Sequence, residues 1–81
     1  MPTLFRVDGL RFYFYAHEGD PLEPVHVHVA HDRDNAKFWI EPEIRLARNN
    51  GLDARLLRRA ERIVVERRDE IARRWRAFHG D

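Results

Sequence analysis

Thr3-Leu4-Phe5-Arg6-Val7-Asp8-Gly9-Leu10-Arg11-Phe12-Tyr13-Phe14-Tyr15 reads as a β-hairpin, and the rest of the fold is laid out from it. Asp8 and Gly9 can both take positive φ, so they make the tight turn whose twist matches two antiparallel strands. A two-residue loop sets the register: Val7 faces Leu10, Arg6 faces Arg11, Phe5 faces Phe12, Leu4 faces Tyr13 and Thr3 faces Phe14. Paired residues point to the same side. One side therefore carries Phe5, Val7, Leu10, Phe12 and Phe14, and the other Leu4, Arg6, Arg11, Tyr13 and Tyr15. The first side is the expected core.

Downstream, His17 to Pro24 contains Gly19-Asp20-Pro21 and reads as a loop. Val25-His26-Val27-His28-Val29 alternates strictly, with the valines on one face and both histidines on the other, and predicts a third strand. After a polar turn over His31-Asp32-Arg33-Asp34-Asn35, Ala36 to Glu41 predicts a fourth, in which Phe38 and Ile40 oppose Lys37, Trp39 and Glu41. Pro42 interrupts it, and Glu43-Ile44-Arg45-Leu46 adds a short edge strand before a turn at Asn49-Asn50-Gly51.

From Asp53 the period changes. Leu56, Ala60, Ile63, Val64, Ile71, Trp75 and Phe78 recur at helical spacing, Asp53 suits the N-cap, and Gly80 suits the terminator. The expected fold is α+β: a small antiparallel sheet of four to five strands with one long C-terminal helix on one face. It is one domain over residues 1–81, with the sheet in 1–48 and the helix in 53–79. Such a helix is about 40 Å long, against about 30 Å for a compact globule of this size. The helix must either bend near Arg67-Arg68 or project. The favoured expectation is projection, with Ile71, Trp75 and Phe78 covered by a second copy or a partner.

The chain has 81 residues and no cysteine, which excludes disulfides, thiolate metal sites and cysteine nucleophiles. Serine is also absent and Thr3 is the only threonine. No apolar run approaches the roughly 18 residues of a membrane span, so a cytoplasmic location is expected. The net charge of +1 conceals a basic helix, since fourteen of the fifteen cationic residues are arginine and nine of those fall between Asp53 and His79. Glu61, Glu66 and Glu70 lie among them and can form short-range helix pairs.

If the helix covers the valine face, the opposite face gathers Arg6, Arg11, Tyr13, Tyr15, His26, His28, Lys37, Trp39 and Glu41. Stacking rings and cations on an open sheet suit single-stranded RNA. His26 and His28 can exchange protons near neutral pH as general base and acid, with Arg6, Arg11 and Lys37 at phosphate and Tyr13, Tyr15 and Trp39 against bases. Other readings stand beside this one. The histidines can be bonded to neighbours on a half-exposed strand, the aromatics can be covered by another subunit, or His26 and His28 can hold a metal with His17, Glu18 or His31. The working expectation is no metal and no cofactor. His-Val-His-Val-Ala-His departs from the histidine-triad nucleotide hydrolases, whose alternation requires a histidine at Ala30.

Several stretches together resemble the small bacterial proteins of domain-of-unknown-function family 4160. They are Pro2-Thr3, Phe12-Tyr13-Phe14-Tyr15 with Glu18-Gly19, Pro24-Val25-His26-Val27-His28-Val29, Ala36-Lys37-Phe38-Trp39-Ile40 and Leu46-Ala47-Arg48-Asn49-Asn50-Gly51. Val25 departs from the pattern, which usually has a second proline there. The resemblance carries no activity and no catalytic residues. It implies a genomic neighbour of unknown-function family 2442, and pairs of that kind are read as toxin–antitoxin modules. The expected function is therefore one component of a bacterial toxin–antitoxin-like pair. As the toxin it would be a metal-independent ribonuclease using the histidine face. The alternative is a non-enzymatic interaction module or homodimeric binding domain. The expected partner is a small cognate protein or a second copy, with RNA as a further candidate and no membrane.

Overall fold

The computed structural model describes residues 3–18 and 23–80, and shows an α+β domain whose five strands pair in chain order. The strands are β1 (Thr3–Val7), β2 (Leu10–Tyr13), β3 (His26–His31), β4 (Asp34–Trp39) and β5 (Arg45–Asn50). All four pairings are antiparallel. A 3-10 turn, Ala16–Glu18, follows β2. The loop expected at Gly19-Asp20-Pro21 lies outside the described residues. No helix among the described residues is long and apolar enough to cross a membrane.

The first hairpin forms as its turn dictates, with Asp8 at φ 54° and Gly9 at φ 79°. Val7 faces Leu10, Arg6 faces Arg11 and Phe5 faces Phe12. Beyond Phe5 the register slips, and Thr3 rather than Leu4 pairs with Tyr13. A bulge at this point lets Leu4 turn to pack at the margin of the core. The edge strand also differs from expectation: it starts at Arg45 and runs on through Asn49 and Asn50, with the Asn49 side chain clasping Leu52 in both directions (2.9 and 3.0 Å).

The core forms on the expected face. Phe12, Phe14, Val25, Val27, Val29, Phe38 and Ile40 are buried against Ala60, Ile63, Val64, Ile71, Ala72 and Trp75. Phe5 and Val7 pack at its margin.

The single long helix is corrected to two, α1 (Ala54–Glu66) and α2 (Arg68–His79). The Asp53 carboxylate caps α1 by accepting from the Leu56 N–H at 2.8 Å. At Arg67 the backbone leaves helical geometry (φ −109°, ψ 21°) although neither glycine nor proline is present. Energetics account for the break. Leaving helical geometry forgoes two or three hydrogen bonds that a continuous helix would have, a net cost of roughly 1 kcal/mol each. Turning α2 inward buries Ile71 and Trp75 to 0% and 1% exposure, at roughly 1.5–3 kcal/mol for each large side chain. Burial wins. The bent molecule measures 33 × 22 × 20 Å, less than a straight helix would need. Ile71 and Trp75, expected at an interface with another chain, lie in this chain's own core, and Phe78 alone of the three stays exposed.

Candidate functional site

Alternation along β3 places His26 and His28 on the same side of the sheet, with Val27 between them facing the core. The 3-10 turn then folds over that side. The Glu18 N–H donates to the Tyr15 carbonyl at 3.2 Å, while Glu18 Oε1 accepts from the Tyr15 N–H at 3.1 Å. With Oε1 held, Oε2 turns towards the histidines and lies 2.7 Å from His26 Nε2 and 2.6 Å from His28 Nε2.

Donor counting assigns the protons. His26 Nδ1 lies 2.9 Å from the Pro24 carbonyl, which can only accept, so Nδ1 carries a hydrogen. His28 Nε2 donates to Glu18 Oε2. His26 Nε2 is different: it is within ion-pair distance of Oε2, yet no hydrogen bond satisfies this buried nitrogen. Angle, rather than distance, separates it from its neighbour.

Aromatic side chains close the cluster. Tyr13 stacks on His28 at 5.3 Å, Tyr15 meets it edge-on at 4.7 Å, and Trp75 of α2 lies 4.6 Å from the His26 ring. Burial lowers the His28 pKa, and Glu18 only partly offsets this, so His28 donates as a neutral imidazole. Burial acts on Glu18 in the opposite sense, but the contacts from His28, His26 and the Tyr15 backbone outweigh it and hold the carboxyl below its ordinary value. The His28–Glu18 contact is therefore imidazole to carboxylate rather than a full ion pair. Burial, with the hydrogen bond to Tyr15, pushes the Tyr13 phenol up to about 12.

The expected open face is thus corrected. Glu18, His26 and His28 are 4%, 0% and 3% exposed, and Tyr13 is buried with them. Periodicity identified which residues share this side but not the turn that covers it. Tyr15 stands at the rim with its hydroxyl 3.4 Å from that of Tyr13. Lys37 pairs with Glu23 at 3.3 Å and lies over Trp39 at 4.3 Å. Arg6 and Arg11 do face each other across β1 and β2, but they are not drawn into the cluster. Arg11 lies over the Tyr13 ring at 4.4 Å and donates to Thr3 Oγ1, whereas Arg6 is exposed. The expected role of the arginines and Lys37 at a shared phosphate with both imidazoles has no common open surface here.

The sequence offered Glu18 only as one of three possible third ligands to a metal, and not as the carboxylate that closes over both histidines. The signal was indirect: two histidines on a strand need acceptors once covered, and the carboxylates available on that side were few.

The family model for Domain of unknown function (DUF4160) matches residues 9–76. The chain belongs to that family. In this DUF4160 domain the matched span contains every strand except β1, together with the whole Glu18–His26–His28 cluster. No curated protein and no solved structure matches the chain. Chemically, the cluster of this DUF4160 domain can share protons among three groups, and its donor atoms lie close enough together to hold one ion.

Proposed function

We propose that this chain is one component of a bacterial toxin–antitoxin-like pair and that it works as a protein-binding module. The observation that carries this reading is Phe78. It is 44% exposed while Ile71 and Trp75 of the same helix are buried. A lone exposed phenylalanine carries little meaning. This one, however, walls a groove between β1 and α2 lined by Thr3, Leu4, Phe14, Arg74, Ala77 and Phe78. Such a groove suits an apolar side chain of a small cognate protein, with Arg74 at its rim for an acidic neighbour on that partner.

Ribonuclease action is the weaker reading, because a general acid or base must come within about 3 Å of the proton it moves. Both imidazoles are roofed by the chain's own rings, and His26 Nδ1 is already engaged. The test is co-purification from the native host, followed by Phe78→Asp. A lost anchor of about 2 kcal/mol weakens the complex roughly 30-fold, with the fold unchanged by circular dichroism. Equal affinity of the Phe78→Asp protein, or RNA degradation abolished by His28→Gln in a folded variant, would reverse the ranking.

A further inference from the structure

We propose that Glu18, His26 and His28 form a binding site for one divalent first-row transition ion of the zinc class, ligated through Glu18 Oε2 and the Nε2 atoms of both histidines. The donor atoms of these three residues all lie within 4.8 Å of one another, and each side chain is at most 5% exposed. Convergence alone is not the argument. Two further observations point to a ligand.

The first is the support behind the donors. His26 Nδ1–H is taken by the Pro24 carbonyl, and Glu18 Oε1 by the Tyr15 N–H. Each of these two residues therefore has one polar atom anchored by backbone and the other aimed inward, which is how metal-binding imidazoles and carboxylates are held. The second is His26 Nε2. It has no hydrogen-bond partner and lies 2.7 Å from a carboxylate oxygen in a ring that is 0% exposed. A buried ring nitrogen without a hydrogen bond of its own needs a partner, and a cation held by it and the carboxylate oxygen supplies one.

The donor set selects the ion. Two imidazoles and one carboxylate suit zinc and its first-row neighbours, whereas magnesium and calcium take oxygen shells. Three protein donors leave at least one position open for water or an exogenous oxygen. Bonds of about 2.0–2.1 Å in a tetrahedron put neighbouring donor atoms about 3.3 Å apart. Loading therefore moves Oε2 away from the two nitrogens by roughly 0.7 Å, a shift within reach of a three-residue turn. The hydrogen on His28 Nε2 leaves to solvent as the ion enters.

The experiment uses the whole chain, stripped with a chelator and titrated with Zn2+ while the imidazole nitrogens are followed by long-range 1H–15N NMR. The expected result is one equivalent bound, with the Nε2 resonances of His26 and His28 displaced together and those of His17, His31 and His79 unmoved. Free Zn2+ at 100 times Kd should raise Tm by about 10–20 °C, and Mg2+ should not. His17→Gln/His31→Gln should bind as well as the parent, and His28→Gln at least 100-fold more weakly. Displacement at His17 or His31 instead, or no saturable Zn2+ binding by the parent, would overturn the proposal, whether or not His28→Gln folds. Phe78→Asp should load normally, which separates this site from the groove.

Discussion

Replacing Trp75 by alanine tests whether α2 belongs to the core or to a surface. Its side chain is 1% exposed and lies 4.0 Å from the His79 ring, 4.6 Å from His26 and 5.1 Å from Phe14, centroid to centroid. Removing a buried tryptophan costs about 3–5 kcal/mol, the lost transfer energy plus the cavity left behind. A domain of this length has only about 4–12 kcal/mol in total. The expected outcome of urea unfolding is therefore a midpoint lowered by at least about a quarter, with an unchanged slope. Were the end of the helix projecting, the same substitution would fall within about 0.5 kcal/mol, as at most surface positions. A loss below 1 kcal/mol would refute both the bend at Arg67 and the burial inferred from it.

Asp53→Ala removes the acceptor for the Leu56 N–H and should cost about 1 kcal/mol, read from the same urea curves. Acidification should destabilise the metal-free protein. Burial lowers the His28 and His79 pKa values below their ordinary 6.5, so from about pH 6.5 downwards the unfolded chain takes up protons that the folded one refuses. Glu18, also held low, adds to the loss further down as pH falls through its folded value. Thermal melts between pH 8 and pH 4 should show Tm falling with pH; a flat profile would contradict these directions.

The Asp8-Gly9 turn, the alternation of β3 and β4 and the helical period were legible because each is a local rule applied to neighbours in sequence. The bulge at Leu4 was not, because the turn's register carried on unbroken puts Leu4 on the side away from the core, and only its apolar character spoke against that. The break at Arg67 contains no helix-breaking residue; helix length against globule width made a bend near Arg67-Arg68 one of two outcomes, and only the assembled sheet decides for it over projection. For the cluster, periodicity placed His26 and His28 on one side, but the covering residue stands ten positions before His28 and is brought back by a turn whose sequence, Ala16-His17-Glu18, carries no strong signal. Strand periodicity says which residues share a face and nothing of what will roof it.

Because the strands pair in the order in which they are synthesised, each can dock on its predecessor while the chain is still emerging. The His26 ring waits longer than its strand does. Its last wall, Trp75, arrives some fifty residues later, so an ion or a proton can reach Nε2 throughout the assembly of the sheet, and α2 shuts the compartment afterwards.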